Sequence, residues 1–151
     1  MMMKKILLAI TATAMIIPAV FANDFEKAED AIKYRQAAYG LISFNFGEMG
    51  AMLKGEKPFD QAQFNIRAEN VAALSKLPHE AFVDGSDKGD TAALAEIWQD
   101  KADFDSKMNA FKDNAAALAI AAKSNDKNAI KAAFVDTGKS CKGCHKVYKE
   151  D

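Results

Sequence analysis

Only two cysteines occur in the 151-residue chain, and a histidine follows them at once: Cys141-Lys142-Gly143-Cys144-His145. Thiols at that spacing can close as a redox disulfide, supply half of a zinc site, or add to the two vinyl groups of a porphyrin while the neighbouring imidazole binds its iron. A redox pair of the thioredoxin kind sits where a strand meets a helix, and no strand-like alternation precedes this motif. Zinc takes four ligands, whereas the chain offers one other histidine, His79, and no other cysteine. C-x-x-C-H is the attachment order of c-type haem. On a helix, Cys141 and Cys144 share a face and His145 lies one turn beyond Cys141, so two thioethers fix the porphyrin edge while the imidazole reaches iron. The expectation is one covalent haem c per chain, attached at Cys141 and Cys144, with His145 as axial iron ligand.

Helices must position this motif. Phe25, Ala28, Ile32, Arg35, Tyr39, Ile42, Phe46, Met49 and Leu53 recur at steps of three and four, the spacing of one helix face. A second helix is predicted from Asp60 as N-cap, with Gln63 three residues on, through Phe64, Ala68, Val71 and Leu74 to a stop at Leu77-Pro78. A third follows Phe104, Met108, Phe111, Ala115, Leu118 and Ala122 up to a break at Ser124-Asn125-Asp126. The fourth runs through Ile130, Phe134, Thr137, Cys141, Cys144 and Tyr148. Their predicted lengths are roughly 18 to 28 residues, about 27–42 Å. Short connections after the first and third helices, and a long link from Pro78 to Lys101 with a short turn at Ala93–Trp98, predict an all-α, antiparallel up-and-down four-helix bundle. Gly40, Gly47 and Gly50 each weaken the first helix by ~1 kcal/mol relative to Ala.

Six residues follow His145, so the group facing the other side of the iron is expected from a preceding helix. Arg35 and Tyr39 occupy inward positions of the first helix, and neither is a Met or His that takes a strong sixth bond. This predicts five-coordinate, high-spin iron with an open face. An inward Arg needs an anion, and haem carries two propionates, so Arg35 is read as a propionate partner rather than a surface side chain. The methionines at 49, 52 and 108 read as core or interface fillers.

The first 22 residues stand outside the fold. Lys4 and Lys5, the apolar run Ile6 to Val20, and small residues in Val20-Phe21-Ala22 before Asn23 have the form of a secretory signal peptide. The run is about 15 residues, shorter than the ~20 that span a bilayer. Residues 23–151, the haem domain, then hold 18 Lys+Arg against 21 Asp+Glu. That near-neutral balance gives no overall electrostatic footprint of a nucleic-acid binder, and no nucleic-acid partner is expected. The expected location is the periplasm, with no membrane attachment after cleavage.

FEKAEDAIKYRQ from Phe25, LPHEAFVDGSDKGD from Leu77, Glu96-Ile97-Trp98 and the ending CKGCHKVYK together resemble cytochrome c′, the class II c-type cytochromes. The likeness covers essentially all of residues 23–151. It implies a periplasmic haem protein, usually a homodimer, with penta-coordinate iron that binds NO and CO. It also implies that Arg35 and Gln36 lie at the haem, that Asp90 lies near the propionate edge and that Tyr39 takes the distal face. Tyr39 stands where the family often has Leu, which changes pocket polarity. Lys149 stands where many members have Arg, so a guanidinium role on the proximal side does not carry over. His79 replaces a Trp of some members and Lys146 an Asp; His79 is expected at the pocket rim or facing solvent.

Two functions are weighed, and they are not exclusive: the penta-coordinate iron binds small gases (NO, CO) and/or transfers single electrons to transient redox partners, the alternative being a low-spin, six-coordinate electron carrier. An enzyme such as a peroxidase needs a distal acid–base pair, for which Tyr39 with Arg35 is thin support, so no catalytic residue is assigned. Tyr34, Leu41, Phe44 and Met52 form a second apolar set on the first helix, within an arc of about 80°. That face predicts a homodimer built on the first helix.

Overall fold

The computed structural model describes residues 25–124 and 126–150; the expected signal peptide at 1–22 lies outside them. Four long helices carry the fold: α1 Ala28–Lys54, α2 Gln61–Leu74, α4 Lys101–Ala122 and α5 Lys127–Tyr148. A one-turn helix, α3 Glu96–Gln99, and a 3₁₀ turn at Pro78–Ala81 lie in the long link. Among the described residues there is no strand, only one isolated bridge between Ala93 and Lys149. The chain is an antiparallel up-and-down four-helix bundle, as its apolar periodicity predicts.

The helix starts are locally encoded. Asp60 accepts a hydrogen bond from Gln63 N at 3.0 Å, Asp100 one from Asp103 N at 3.2 Å, and Asp126 bonds from Asn128 N and Ala129 N. Each satisfies backbone donors that no carbonyl reaches. α1 has no side-chain cap, but Glu29 and Asp30 sit in its first turn, opposite the positive end of the helix dipole. It ends on Gly55 at φ 77°, where Glu56 N reaches back to Ala51 O at 2.9 Å.

Two expectations change, the end of α2 and the place of Met52. α2 stops at Leu74, three residues before Leu77, because Ser75 turns its hydroxyl back onto Ala72 O and Leu77 N closes a tight turn on Leu74 O. It is 14 residues long, below the expected range. α1 runs unbroken through its glycines; at Gly50 a Cβ would stand 3.3 Å from Phe134 Cζ, so a small residue there lets a ring pack close. Met52, expected on the exposed second face, is instead buried with Met49 in the main core. α2 packs along that side of α1 and widens its buried arc.

Neighbouring helices pack in the ring α1–α2–α4–α5, but the backbones of α1 and α5 approach each other far less closely. Their contact is made by side chains, with Phe46 of α1 stacked on Phe134 of α5 at 4.2 Å and 6° between planes. Gly138 lies under Phe46, its built Cβ position 3.6 Å from the ring. The main core gathers Met49, Phe64, Val71, Leu118 and Ile130. A smaller core of Ile97, Phe104, Met108 and Tyr148 sits under the long link, with Phe82 and Trp98 against it.

Candidate functional site

Cys141 and Cys144 are seven and ten residues beyond Phe134 on α5. Tyr39 is seven residues before Phe46 on the antiparallel α1, so two turns from the aromatic stack the two helices face each other as Tyr39 opposite Cys141. Cys141 packs against the main core and Cys144 against the smaller one, so the motif straddles the gap between them. Both thiols are free and half-buried. Burial raises the pKa of each, and Lys107 opposes the rise at Cys144. His145 lies on the outer flank of α5, and among the described residues its ring has no hydrogen-bond partner. Partial burial, and then the Lys149 ammonium, hold its pKa below the ordinary value, which favours the neutral imidazole that a metal needs.

Tyr39 faces this motif. Its hydroxyl points to Met108 Sδ at 3.6 Å. Burial pushes the phenol pKa well above the ordinary range, the Cys144 and Cys141 sulfurs add to the rise, and Arg35 opposes it. The ring is therefore a neutral phenol at any working pH.

Arg35 is inward, as its place in the α1 stripe requires, and only 2% exposed. Its Nη1 donates to Ala81 O at 2.9 Å and Ser86 Oγ at 2.7 Å; its Nη2 donates to Ser86 O at 2.6 Å and Thr91 Oγ1 at 2.9 Å. The guanidinium also lies 4.7 Å from the centre of the Phe82 ring. Burial lowers the Arg35 pKa, and the four oxygens keep the charge satisfied. All four Nη hydrogens are thus committed to the 81–91 loop, leaving Nε–H for any anion. Sequence reasoning placed Arg35 but missed Ser86, Thr91 and Phe82. The available signal was Gly85 and Gly89, whose φ values of 80° and 106° fold the loop back on α1.

Gln36 is exposed and donates to the backbone oxygen of Asp90 at 2.7 Å, so Asp90 contributes a carbonyl there. Ile32, Lys33, Gln36, Lys88, Gly89 and Asp90 line a cleft of about 260 Å³ at this end of the bundle. His79 accepts from Lys112 Nζ at Nδ1 (3.0 Å) and contacts Asp105 Oδ1 through Nε2 at 2.7 Å. An ammonium only donates, so Nδ1 is the acceptor and Nε2 carries the hydrogen. His79 is held on the rim by α4, away from the cysteine pair. Among the described residues no group of His, Cys, Asp and Glu forms a metal cluster by itself.

The donor set fits a haem. It offers two unpaired thiols on one helix face, an imidazole beside them whose lowered pKa favours the neutral form, and Tyr39 on the opposing helix. A family model, Cytochrome C′, matches residues 30–149. The chain belongs to the cytochrome c′ family. A cytochrome c′ from Alcaligenes xylosoxydans xylosoxydans is 45% identical over 126 residues, covering 83% of this chain and 98% of that one. The structure of cytochrome c prime from Shewanella frigidimarina superposes with a TM-score of 0.84 at 75% identity, covering 85% of this chain and all of that one. A nitric oxide complex of a point mutant of the Alcaligenes xylosoxidans protein superposes at TM-score 0.79 with 44% identity, over 85% and 99% of the two chains. A variant of that same protein is solved with carbon monoxide bound. The cofactor of cytochrome c′ is covalent haem c, and Cys141 and Cys144 are the only cysteines in the chain.

Proposed function

We propose that this chain is a periplasmic haem protein whose iron has His145 as its one protein ligand and an open face toward Tyr39, where NO or CO binds, and that it also passes single electrons. Cys141 and Cys144 hold the haem through thioethers, each thiol adding across a vinyl group with its proton passing to carbon. When bound, the haem supplies an iron that changes oxidation state by one electron and takes a diatomic gas. Arg35 and Gln36 hold the 81–91 loop against α1 through side-chain bonds, which sets the rim of the pocket at the propionate edge; Asp90 shapes that rim through its carbonyl.

The observation that carries this reading is the Tyr39 face. A neutral phenol occupied with Met108 Sδ is a poor iron ligand, Met108 is buried beyond it, and His79 is bound by Asp105 and Lys112. The six-coordinate carrier needs a strong second ligand, and none of these three supplies it. The same arrangement supports gas binding and electron transfer over catalysis, because a phenol with a raised pKa and a fully bonded guanidinium do not make an acid–base pair. The absorption spectrum of the ferric protein at neutral pH tests the reading: high-spin bands are expected, and a low-spin spectrum with a methionine–iron band overturns it. Tyr39→Ala is expected to speed CO association severalfold in stopped flow, and an unchanged rate places Tyr39 away from iron.

A homodimer through α1 is the second part of the proposal. Leu41 and Phe44 are 54% and 57% exposed, with Ile66 of the adjoining α2 also exposed. Tyr34, the other member of the expected face, is instead held by the 3₁₀ turn through its hydroxyl on Glu80 at 2.6 Å. The long link covers that end, and the self-complementary patch narrows to Leu41 and Phe44. Sedimentation equilibrium of Leu41→Lys/Phe44→Glu is expected to give monomers where the wild type is dimeric. A monomeric wild type in the micromolar range sinks the idea.

A further inference from the structure

Charge is distributed unevenly along this chain. Residues 127–149, the segment that carries the haem motif, hold six lysines and one acid, Asp136; the rest of residues 23–151 holds 12 Lys+Arg and 20 Asp+Glu. A nearly neutral protein therefore has one strongly basic helix. The five lysines within α5, at 127, 131, 139, 142 and 146, fall inside an arc of about 120° at 100° per residue, with His145 at one edge of the arc. All five are exposed, as is Lys149 just beyond the helix. Among the described residues Lys139 alone of these pairs with an acid, Asp136 at 2.8 Å, which lies outside the arc.

Val135 is exposed within the lysine arc. Gly143, between the two cysteines, lies about 40° beyond the Lys139 edge of the arc and has nothing near the place a Cβ would occupy, so the helix backbone is bare there. The candidate dimer patch of Leu41 and Phe44 lies on α1, a different helix, and leaves the α5 face clear. Exposed His145 at one edge of the arc, bare helix backbone beyond the other and the lysines between them put positive charge on the solvent side of the haem motif.

We propose that the lysine face of α5 is a docking surface for an acidic redox protein, whose carboxylates meet Lys131, Lys139, Lys142 and Lys146 while its redox centre comes over the Gly143 side of the motif. The complementarity is specific to one face, since the remainder of the chain is acidic and repels the same partner. Such steering raises encounter rates at low salt and is screened above the Debye length, giving a brief complex of the kind electron transfer needs. This inference rests on haem being attached at Cys141 and Cys144.

The holoprotein is first assayed for covalent haem by pyridine haemochrome, which separates failure of the site from failure of the surface. Haem-loaded ferric protein is then reduced by an acidic flavodoxin semiquinone in stopped flow across ionic strength. The expected result is a second-order rate that falls roughly tenfold or more from low to high salt. Lys139→Glu/Lys146→Glu should lose that salt dependence, and Lys54→Glu/Lys76→Glu, with the same charge change off α5, should keep it. Equal rates in the two double variants overturn the proposal. So does lysine-dependent co-sedimentation with phosphatidylglycerol vesicles when flavodoxin rates are insensitive to salt, an outcome that assigns the face to an anionic lipid surface.

Discussion

The two ends of the α1–α5 pair are built from the same periodicity and do opposite things. Toward the end of α1, Phe46 lies flat on Phe134 over Gly138 and beside Gly50, and the interface closes on apolar rings and small residues. Two turns away the same faces present Tyr39, Arg35 and the cysteines, and α1 is tied to the 81–91 loop by four hydrogen bonds from Arg35. One end is stabilised by contact between the helices and the other by contact with a third element. That division keeps the register of the pair at one end while leaving the cysteine end free of aromatic stacking between the helices.

The comparison predicts a separation of effects. Cys141→Ala/Cys144→Ala is expected to abolish covalent haem entirely, so that acid–acetone extraction leaves colourless protein; haem surviving extraction would show that attachment is elsewhere. At the same end, Arg35→Leu removes four hydrogen bonds and takes the guanidinium donors from the Ala81 and Ser86 carbonyls, and is expected to cost about 3 kcal/mol, within the range for breaking a buried charged network. Amide exchange should quicken over residues 81–91 far more than at Ile130 or Leu118. Uniform loss of protection across both ends would erase the distinction between them. At the closed end, Phe134→Ala removes a half-buried stacked ring and is expected to cost about 2 kcal/mol in denaturant melts, below the full cost of a buried Phe, with haem content unchanged.

How much of this was legible follows the same division. The four helices and their inward faces were readable because steps of three and four are a local property of the chain, and Asp60 and Phe104 fell where the pattern put them. Arg35 was readable as the one charged member of an apolar stripe. Its partners were not, because Ala81, Ser86 and Thr91 are 46 to 56 residues away and reach it only through loop geometry. The end of α2 was misplaced since Pro78 advertises a stop whereas Ser75 makes one earlier. Met52 was misplaced because a single helix wheel does not show how many neighbours share the helix.

The smallest expected effect tests the smaller core. Tyr148 donates its hydroxyl to Asp103 Oδ2 at 2.6 Å, and this bond, with help from Lys107, holds the Asp103 pKa below its ordinary value. A carboxyl with a depressed folded pKa adds stability above its unfolded pKa and loses it as pH falls through the folded one. Tyr148→Phe should therefore move the Asp103 carbon titration upward and remove a slight acid sensitivity below about pH 4. A titration curve unchanged by the substitution assigns the depression to Lys107.

The Phe46–Phe134 stack also gives the bundle a fulcrum. Cys141 and Tyr39 lie seven residues from it, a lever arm of about 10 Å along each helix. If α1 moves as a rigid rod, a ligand that displaces Tyr39 by about 1 Å turns it by roughly 6° about the stack, and its far end near Lys54 swings by a similar distance in the opposite direction. Leu41 and Phe44 stand on the short arm between pivot and pocket, so they travel only a fraction of that distance, and mostly in rotation. Under the proposed function, a surface placed there would feel occupancy of the Tyr39 face as a small change of tilt while keeping its own contacts in register.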